Sequence, residues 1–242
     1  MQATFSSYTY IDSINRINEI LNSPDFNYED KDSIPSRDTL SFTNGFYVNC
    51  SAMFVDLRDS TGISQKYKRP TLARMYRSFI SELVAVMRNH TEVSEINING
   101  DCVWGVYDTP HRSDIDSLFD VAAMASSLID ILSWKLEKNN LSPIKAGIGL
   151  SFGRALMIKA GYKGSTVNDV VWMGDVVNES SELCSYGDRS WSAQRTMVSS
   201  SFYNNLNEKY QALLTWNSPK GCYQGYIINT VMNDWLNKQK SR

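Results

Sequence analysis

An α+β domain is the fold class this sequence predicts, with a ferredoxin-like βαββαβ core whose antiparallel-rich sheet carries helices on one face. Three observations lead there. Extended apolar runs at Tyr47–Leu57, Val93–Ile98, Cys102–Tyr107 and Ile144–Ser151 are interleaved with two long stretches of helical period. The second and third runs are joined by Asn99-Gly100-Asp101, a hairpin turn in which Asn and Gly reach positive φ at little cost. The 242 residues are 42% apolar and 12% aromatic, enough to bury the core of one large domain.

The elements follow in order. Ile11, Ile14, Ile17, Ile20 and Leu21 repeat with a helical period, whereas Asn22 to Arg37, with Pro24, Pro35 and many charges, reads as a linker or surface loop. Residues 1–44 therefore precede a main domain at 45–230, and 231–242 form a polar tail with a short surface helix. Arg58 to Lys68 is a polar loop entering a helix that tolerates Pro70 in its first turn. Leu72, Met75, Tyr76, Phe79, Ile80, Leu83, Val84 and Met87 then recur at spacings of three and four. Ser113 to Lys138 repeats the pattern with Ile115, Leu118, Phe119, Ala122, Met124, Ala125, Leu128, Ile129 and Leu132. Gly153–Ala160 and Val167–Met173 read as a separate hairpin around Gly161–Gly164. A third helix starts at Gly174, and short strands at Thr196–Val198 and Tyr223–Ile228 flank a helix near Ser201–Asn207.

Bulk properties exclude several classes. A formal charge of −2 gives no field that would draw nucleic acid or an anionic membrane. Four cysteines and two histidines show no zinc-like spacing, so reduced thiols in a cytoplasmic protein are expected. The start lacks a basic, apolar leader, and no apolar run approaches the ~20 residues that span a bilayer, so no membrane insertion is expected. His90 and His111, at helix or loop ends, are expected on the surface. Trp104, Trp134 and Trp172 are expected in the core or a dimer interface.

Chemistry concentrates in Phe54–Thr61 and Asn97–Asp101. Each run sets an aspartate at the end of an extended segment, and one long helix separates them. A strand–helix–strand layout brings Asp56 and Asp101 side by side, and paired carboxylates suit divalent cations that accompany phosphate chemistry.

The motifs also resemble a family. Phe54 to Thr61 is similar to the F-x-D-[IL]-x-x-[FS]-T run of class III nucleotide cyclases, and Asn99-Gly100-Asp101 to the hairpin of their second metal aspartate. Lys145–Gly153 resembles their R-x-G-I-x-x-G strand, Gly174–Ser181 their G-[DN]-x-V-N-x-A-[AS] helix start, and Lys220-Gly221 their late V-K-G element. The resemblance covers roughly residues 46–228 and implies the cyclase catalytic-domain fold. It further implies two divalent ions, Mg or Mn, held by Asp56, Asp101 and the carbonyl of Leu57. Amides of Arg58, Asp59, Ser60 and Thr61 would cradle phosphates, Lys220 would contact the triphosphate, and Asn178 would orient the ribose. Asn97 and Val171 occupy the positions that read the base. In this family one chain supplies metal ligands and the other the base readers, so a homodimer with interfacial sites is implied.

Three positions depart from the family pattern. Asn97 stands where adenylyl cyclases have lysine, Val171 where they have Asp or Thr, and Glu182 where the transition-state arginine belongs. Asn offers an amide and Val no hydrogen bond, so neither purine code fits. Altered base readers with intact metal aspartates resemble the pyrimidine cyclases of Pycsar antiphage systems. That implies cyclic CMP or cyclic UMP as a messenger for a separate effector, with CTP slightly favoured over UTP. The alternatives are a purine cyclase, a catalytically silent cyclase-homology domain, or a diguanylate-type palm enzyme. The last is opposed by the absence of a GG[DE]EF run. Arg154, Lys159 and Arg58 are the candidate replacements for the missing arginine.

Overall fold

The computed structural model describes residues 5–165, 167–189 and 193–241. Its centre is a mixed sheet in the order β3-β4-β2-β5-β7-β9-β8. The strands are β2 (Gly45–Leu57), β3 (Val93–Asn99), β4 (Cys102–Tyr107), β5 (Ala146–Gly161), β7 (Thr196–Val198), β8 (Thr215–Asn217) and β9 (Cys222–Gly225). β1 (Tyr28–Lys31) pairs parallel to β2, and β6 (Asn168–Met173) pairs antiparallel to β5. The α+β class and the order of the core elements are as the sequence predicts.

Two helices cover one face of the sheet. In α3 (Arg69–Met87) the residues Met75, Phe79, Leu83 and Met87 recur every fourth position and are all buried. The longer α4 (Arg112–Lys138) buries Ile115, Leu118, Phe119, Ala122, Ala125 and Ile129 beside them. They pack on Met53, Val55 and Leu57 of β2, Val103 of β4, and Ile148 and Leu150 of β5. Each large side chain fully buried here contributes about 2 kcal/mol. Strand alternation sends the other β2 residues, from Phe46 to Phe54, to the opposite face. There the Phe54 and Trp104 rings stack at 5.0 Å and 5°, and α5 (Asp175–Tyr186) lies across β5.

The approach of α5 is permitted by glycine. A Cβ at Gly149 would sit 2.1 Å from the Ser180 carbonyl oxygen and 2.4 Å from the Cys184 amide nitrogen. The Ser180 hydroxyl fastens the contact, reaching the carbonyls of Ala52 (3.0 Å) and Gly149 (2.9 Å).

The structure corrects four sequence expectations. The segment read as a linker contains β1, which pairs with Gly45–Val48 of β2, below the stretch Ser51–Asp56 that β4 occupies. Ile144–Ser151 and Gly153–Ala160 are not two strands: β5 runs unbroken because β2 pairs with it from Gly45 to Leu57. The polar run after Asp59 holds a short helix, α2 (Ser60–Lys66). His90 is buried rather than on the surface. Its Nδ1 accepts the Glu92 amide at 3.0 Å, which leaves the proton on Nε2 to donate to the Asp114 carbonyl at 2.9 Å.

Short helices α6 (Ser200–Asn205) and α7 (Glu208–Gln211) and the terminal α8 (Thr230–Lys240) complete the chain after α1 (Tyr10–Leu21). All four cysteines are free thiols. No described helix is long and apolar enough to cross a membrane.

Gly149→Ala should push α5 off the sheet and cost at least about 2 kcal/mol, because a backbone carbonyl cannot give way as a side chain can. Urea unfolding of the variant checks this; an unchanged midpoint would contradict the close approach.

Candidate active site

Asp56 faces away from the helical layer and is in register with Cys102, the first residue of β4. Asp101 precedes Cys102 in the hairpin turn, whose Gly100 takes φ +66°, so the two carboxylates are neighbours. The Asp101 charge reaches the Asp56 carboxyl. Burial foremost raises the Asp56 carboxyl above the ordinary carboxylate range; Arg58 opposes that rise and Asp101 adds to it.

A third oxygen is aimed at the same place. The Arg58 amide donates to the Lys145 carbonyl at 2.8 Å. In a trans peptide the Leu57 carbonyl points the opposite way, toward the β4 edge just past the Asp56–Cys102 pair. Two carboxylates and a carbonyl form an oxygen-only donor set that fits a hard divalent cation such as Mg²⁺ or Mn²⁺. Among the described residues no third acid, His or Cys joins them. Further oxygens would have to come from water and a phosphate-bearing substrate.

The same hydrogen bond removes one of the expected phosphate donors. The Arg58 amide is committed to β5, so it does not belong with the amides of Asp59, Ser60 and Thr61. Asp59 adopts the left-handed region at φ 56° and starts α2 without a side-chain cap. The amides of these three residues have no acceptor among the described residues. The Tyr76 phenol lies beside Ser60 and Asp101, its pKa raised by burial first and then by Asp101.

Arg58 instead acts through its side chain, which is 7% exposed. Nη1 donates to Asp56 Oδ2 at 2.8 Å, Nε to the Gly187 carbonyl at 2.8 Å, and Nη2 to the Cys184 carbonyl. The carbonyls belong to the last turn of α5 and the residue just after it, the negative end of that helix. One cation therefore serves both a site carboxylate and the end of α5.

Of the remaining sequence candidates, Asn178 lies apart from Asp56 within one chain. The helix α5 runs antiparallel to β5, with Val176 near Gly153, Glu179 bonded to Ser151, and Cys184 over Gly147. Only Gly147 is in register with Asp56. Asn178, exposed and next to Glu179, is thus about 13 Å along the sheet from Asp56, four strand residues at ~3.3 Å. Asn178, Glu182 and Tyr186 follow one another at spacings of four and share a stripe of α5. The Tyr186 hydroxyl bonds Glu182, and Lys220 Nζ lies 4.1 Å from the centroid of the Tyr186 ring.

Asn97 and Val171 are not in contact through their own side chains. Val171 is exposed, and alternation turns it to the side of β6 opposite Trp172. Asn97 donates from Nδ2 to Glu95 Oε1 at 3.0 Å, and Glu95 Oε2 accepts from Trp172 Nε1 at 3.1 Å.

The three cations offered by the sequence as a substitute for arginine at position 182 each have partners within the chain. Arg58 is spent on the contacts above. Arg154 pairs with Asp30 and stacks on Tyr47, and Lys159 lies over the Phe42 ring. Sequence reading missed Arg189. Its charge lowers the Asp56 carboxyl pKa, and with Tyr186, Asn217 and Lys220 it lines a groove of about 550 Å³. The signal for it, a basic residue two positions after Gly187 beyond α5, was present but unspecific.

This arrangement of sheet, helical layer and paired aspartates is that of a nucleotide cyclase catalytic domain. Residues 43–218 match the family described as the adenylate and guanylate cyclase catalytic domain, and the chain belongs to it. Members of that family work with divalent metal ions. A uridylate cyclase of Gulbenkiania mobilis is 36% identical over 99% of this chain and 100% of its own. A uridylate cyclase of Treponema porcinum is 34% identical over 96% of this chain and 82% of its own. Among solved structures, the adenylyl cyclase CyaB of P. aeruginosa aligns with TM-score 0.60 at 16% identity, over 71% of this chain and 85% of that one. A class III adenylyl cyclase-like ATP-binding protein of Pseudomonas aeruginosa aligns at TM-score 0.65 and 16% identity, over 86% and 45%. At such identities the structural likeness speaks for fold alone.

Arg58→Lys should lower stability by about 2 kcal/mol, since one ammonium cannot span three acceptors held in a fork. Denaturant melts read this directly, and a wild-type midpoint would contradict the bridging role.

Proposed function

We propose that this protein is a uridylate cyclase, converting UTP to the 3′,5′-cyclic monophosphate and pyrophosphate. The observation that carries the chemistry is the meeting of Asp56 and Asp101 at the end of β2, with the Leu57 carbonyl aimed between the strands. The choice of base is supported by the relatives. Two curated relatives named uridylate cyclase match nearly the whole chain, whereas the slight sequence preference for CTP finds no support among them.

Asp56, Asp101 and the Leu57 carbonyl would hold the divalent ions, two per site and Mg or Mn in kind. Bound there, the ions would neutralise triphosphate charge and make the 3′-hydroxyl easier to deprotonate. The protein's own groups do the positioning. Amides of Asp59, Ser60 and Thr61 hold phosphate oxygens, and Lys220 adds a point charge on the triphosphate. Asn178 orients the ribose so that O3′ lies in line with the α-phosphorus. The O3′–P bond forms as the 3′-hydroxyl gives its proton to solvent water, the bond from the α-phosphorus to the bridging oxygen breaks, and pyrophosphate leaves with the electron pair. Arg189, which lines the groove with Lys220 and whose charge reaches Asp56, would face charge building on the α-phosphate.

The site is built from two chains. Asn178 lies too far along the sheet to serve the Asp56 of its own chain, so it serves the Asp56 of a second copy in a homodimer. Asn97 and Val171 read the base in the same cross-chain manner. A cyclic pyrimidine nucleotide made by a cytoplasmic enzyme without an output domain in residues 45–230 suits a messenger acting on a separate effector, as in antiphage defence.

Incubating the purified protein with UTP, CTP, ATP or GTP and Mn²⁺, followed by mass spectrometry, tests this reading. Cyclic UMP should form at least about 10-fold faster than any other product, and Asp56→Ala or Asp101→Ala should slow it roughly 100-fold or more. A purine product alone would overturn the pyrimidine reading. No product from any nucleotide would overturn the enzyme.

A further inference from the structure

We infer that Glu95 sets base specificity by fixing which way round the Asn97 amide faces. This rests on the proposed reading of a pyrimidine cyclase with Asn97 at the base. Glu95 and Asn97 are two apart on β3 and face the same side of the sheet, the side of Asp56 and the Phe54–Trp104 stack.

The argument is one of donors and acceptors. An indole N–H can only donate, so the Trp172 bond at 3.1 Å identifies Glu95 as an acceptor at Oε2. The other carboxylate oxygen, Oε1, faces the Asn97 amide at 3.0 Å. A carboxylate facing an amide takes the NH₂ end, because an oxygen there would set two acceptors against each other. Asn97 Oδ1 is thereby turned away from Glu95, and it has no hydrogen-bond partner among the described residues. The amide is thereby fixed in orientation, with Oδ1 as its free acceptor.

At the N3 position a fixed acceptor selects the base that carries a donor there, since cytosine's own donor lies on the exocyclic N4. Uracil carries N3–H on its Watson–Crick edge, where cytosine carries an unprotonated N3. Reading cytosine N3 would require turning the amide, which would break the Asn97–Glu95 bond and press Oδ1 on the carboxylate. An unconstrained Asn amide could serve either base by rotating, so the selectivity resides in Glu95 and its anchor.

Trp172 makes the anchor rigid. It is 6% exposed and packs with Phe54, Trp104 and Val177, so its N–H is a stationary point for Oε2. It also belongs to β6, next to Val171. Glu95 therefore ties β3 to β6, the two strands that carry the base-reading positions, across 77 residues of sequence. Glu95 acts through Asn97 and is a positioning residue.

The test compares UTP with CTP, each with Mn²⁺, in the full-length enzyme and in Glu95→Gln. With its oxygen held by the Trp172 N–H, the glutamine turns its NH₂ to Asn97, so the Asn97 amide is reversed and presents a donor. The UTP-to-CTP ratio of kcat/KM should fall about 10-fold in the variant, through a loss with UTP and a gain or no change with CTP. Trp172→Phe removes the donor to Oε2 while Glu95 stays, and should shift the ratio in the same direction by about 3-fold. It carries the test should Glu95→Gln fail to fold. A purely structural role would slow both substrates alike and leave the ratio unchanged, which would overturn the inference. A wild-type enzyme without preference for UTP would instead overturn the proposed function, whatever the variants do.

Discussion

The guanidinium of Arg58 is the interaction on which the rest of the site depends. It lies on the sheet between β2 and α5, donating to the Asp56 carboxylate and to the carbonyls of Cys184 and Gly187. A buried cation needs its donors satisfied, and here a carboxylate and the negative end of a helix satisfy them together. Asp56 is thus held at the end of β2 by the group that ends α5. The space for this exists because β5 carries glycine where the helix crosses: a Cβ at Gly147 would lie 1.8 Å from Arg58 Nη2. Sequence, packing and electrostatics meet at one point.

From that contact the division of the site follows. With its C-terminal end pinned over Gly147, α5 must run back along β5 toward Gly153, and Asn178 is carried away from Asp56. The sheet separates the base-reading positions similarly. Asp56 is on the central strand β2 while Asn97 is on the outermost strand of the path, β3. Under the proposed function, a chain that keeps the two halves of the apparatus apart would be completed by a second copy that brings them together.

Much of this was legible in the sequence because it rests on local rules. The periods of α3 and α4 and the Asn-Gly turn need only neighbours in the chain, and they place Asp56 beside Asp101. What was not legible depends on contacts distant in sequence. Nothing local marks Tyr28–Lys31 as a strand; it becomes one because β2 has an open edge at Gly45–Val48. His90 is buried by a carbonyl 24 residues away. Arg58 reads as one more residue of a phosphate loop until Cys184 and Gly187, some 126 and 129 residues on, are seen to surround it. Glu95 and Trp172 are ordinary strand residues in sequence. Their joint hold on Asn97 exists only after β6 folds back.

The central claim is that one chain's aspartates work with the other chain's Asn178, and mixing two disabled variants tests it most directly. Asp56→Ala and Asn178→Ala homodimers should each be nearly inactive. Unfolded together in equal amounts and refolded, half the dimers would be mixed, each with one intact site, and about a quarter of wild-type activity should return. A mixture no more active than its two components would contradict a site shared between chains.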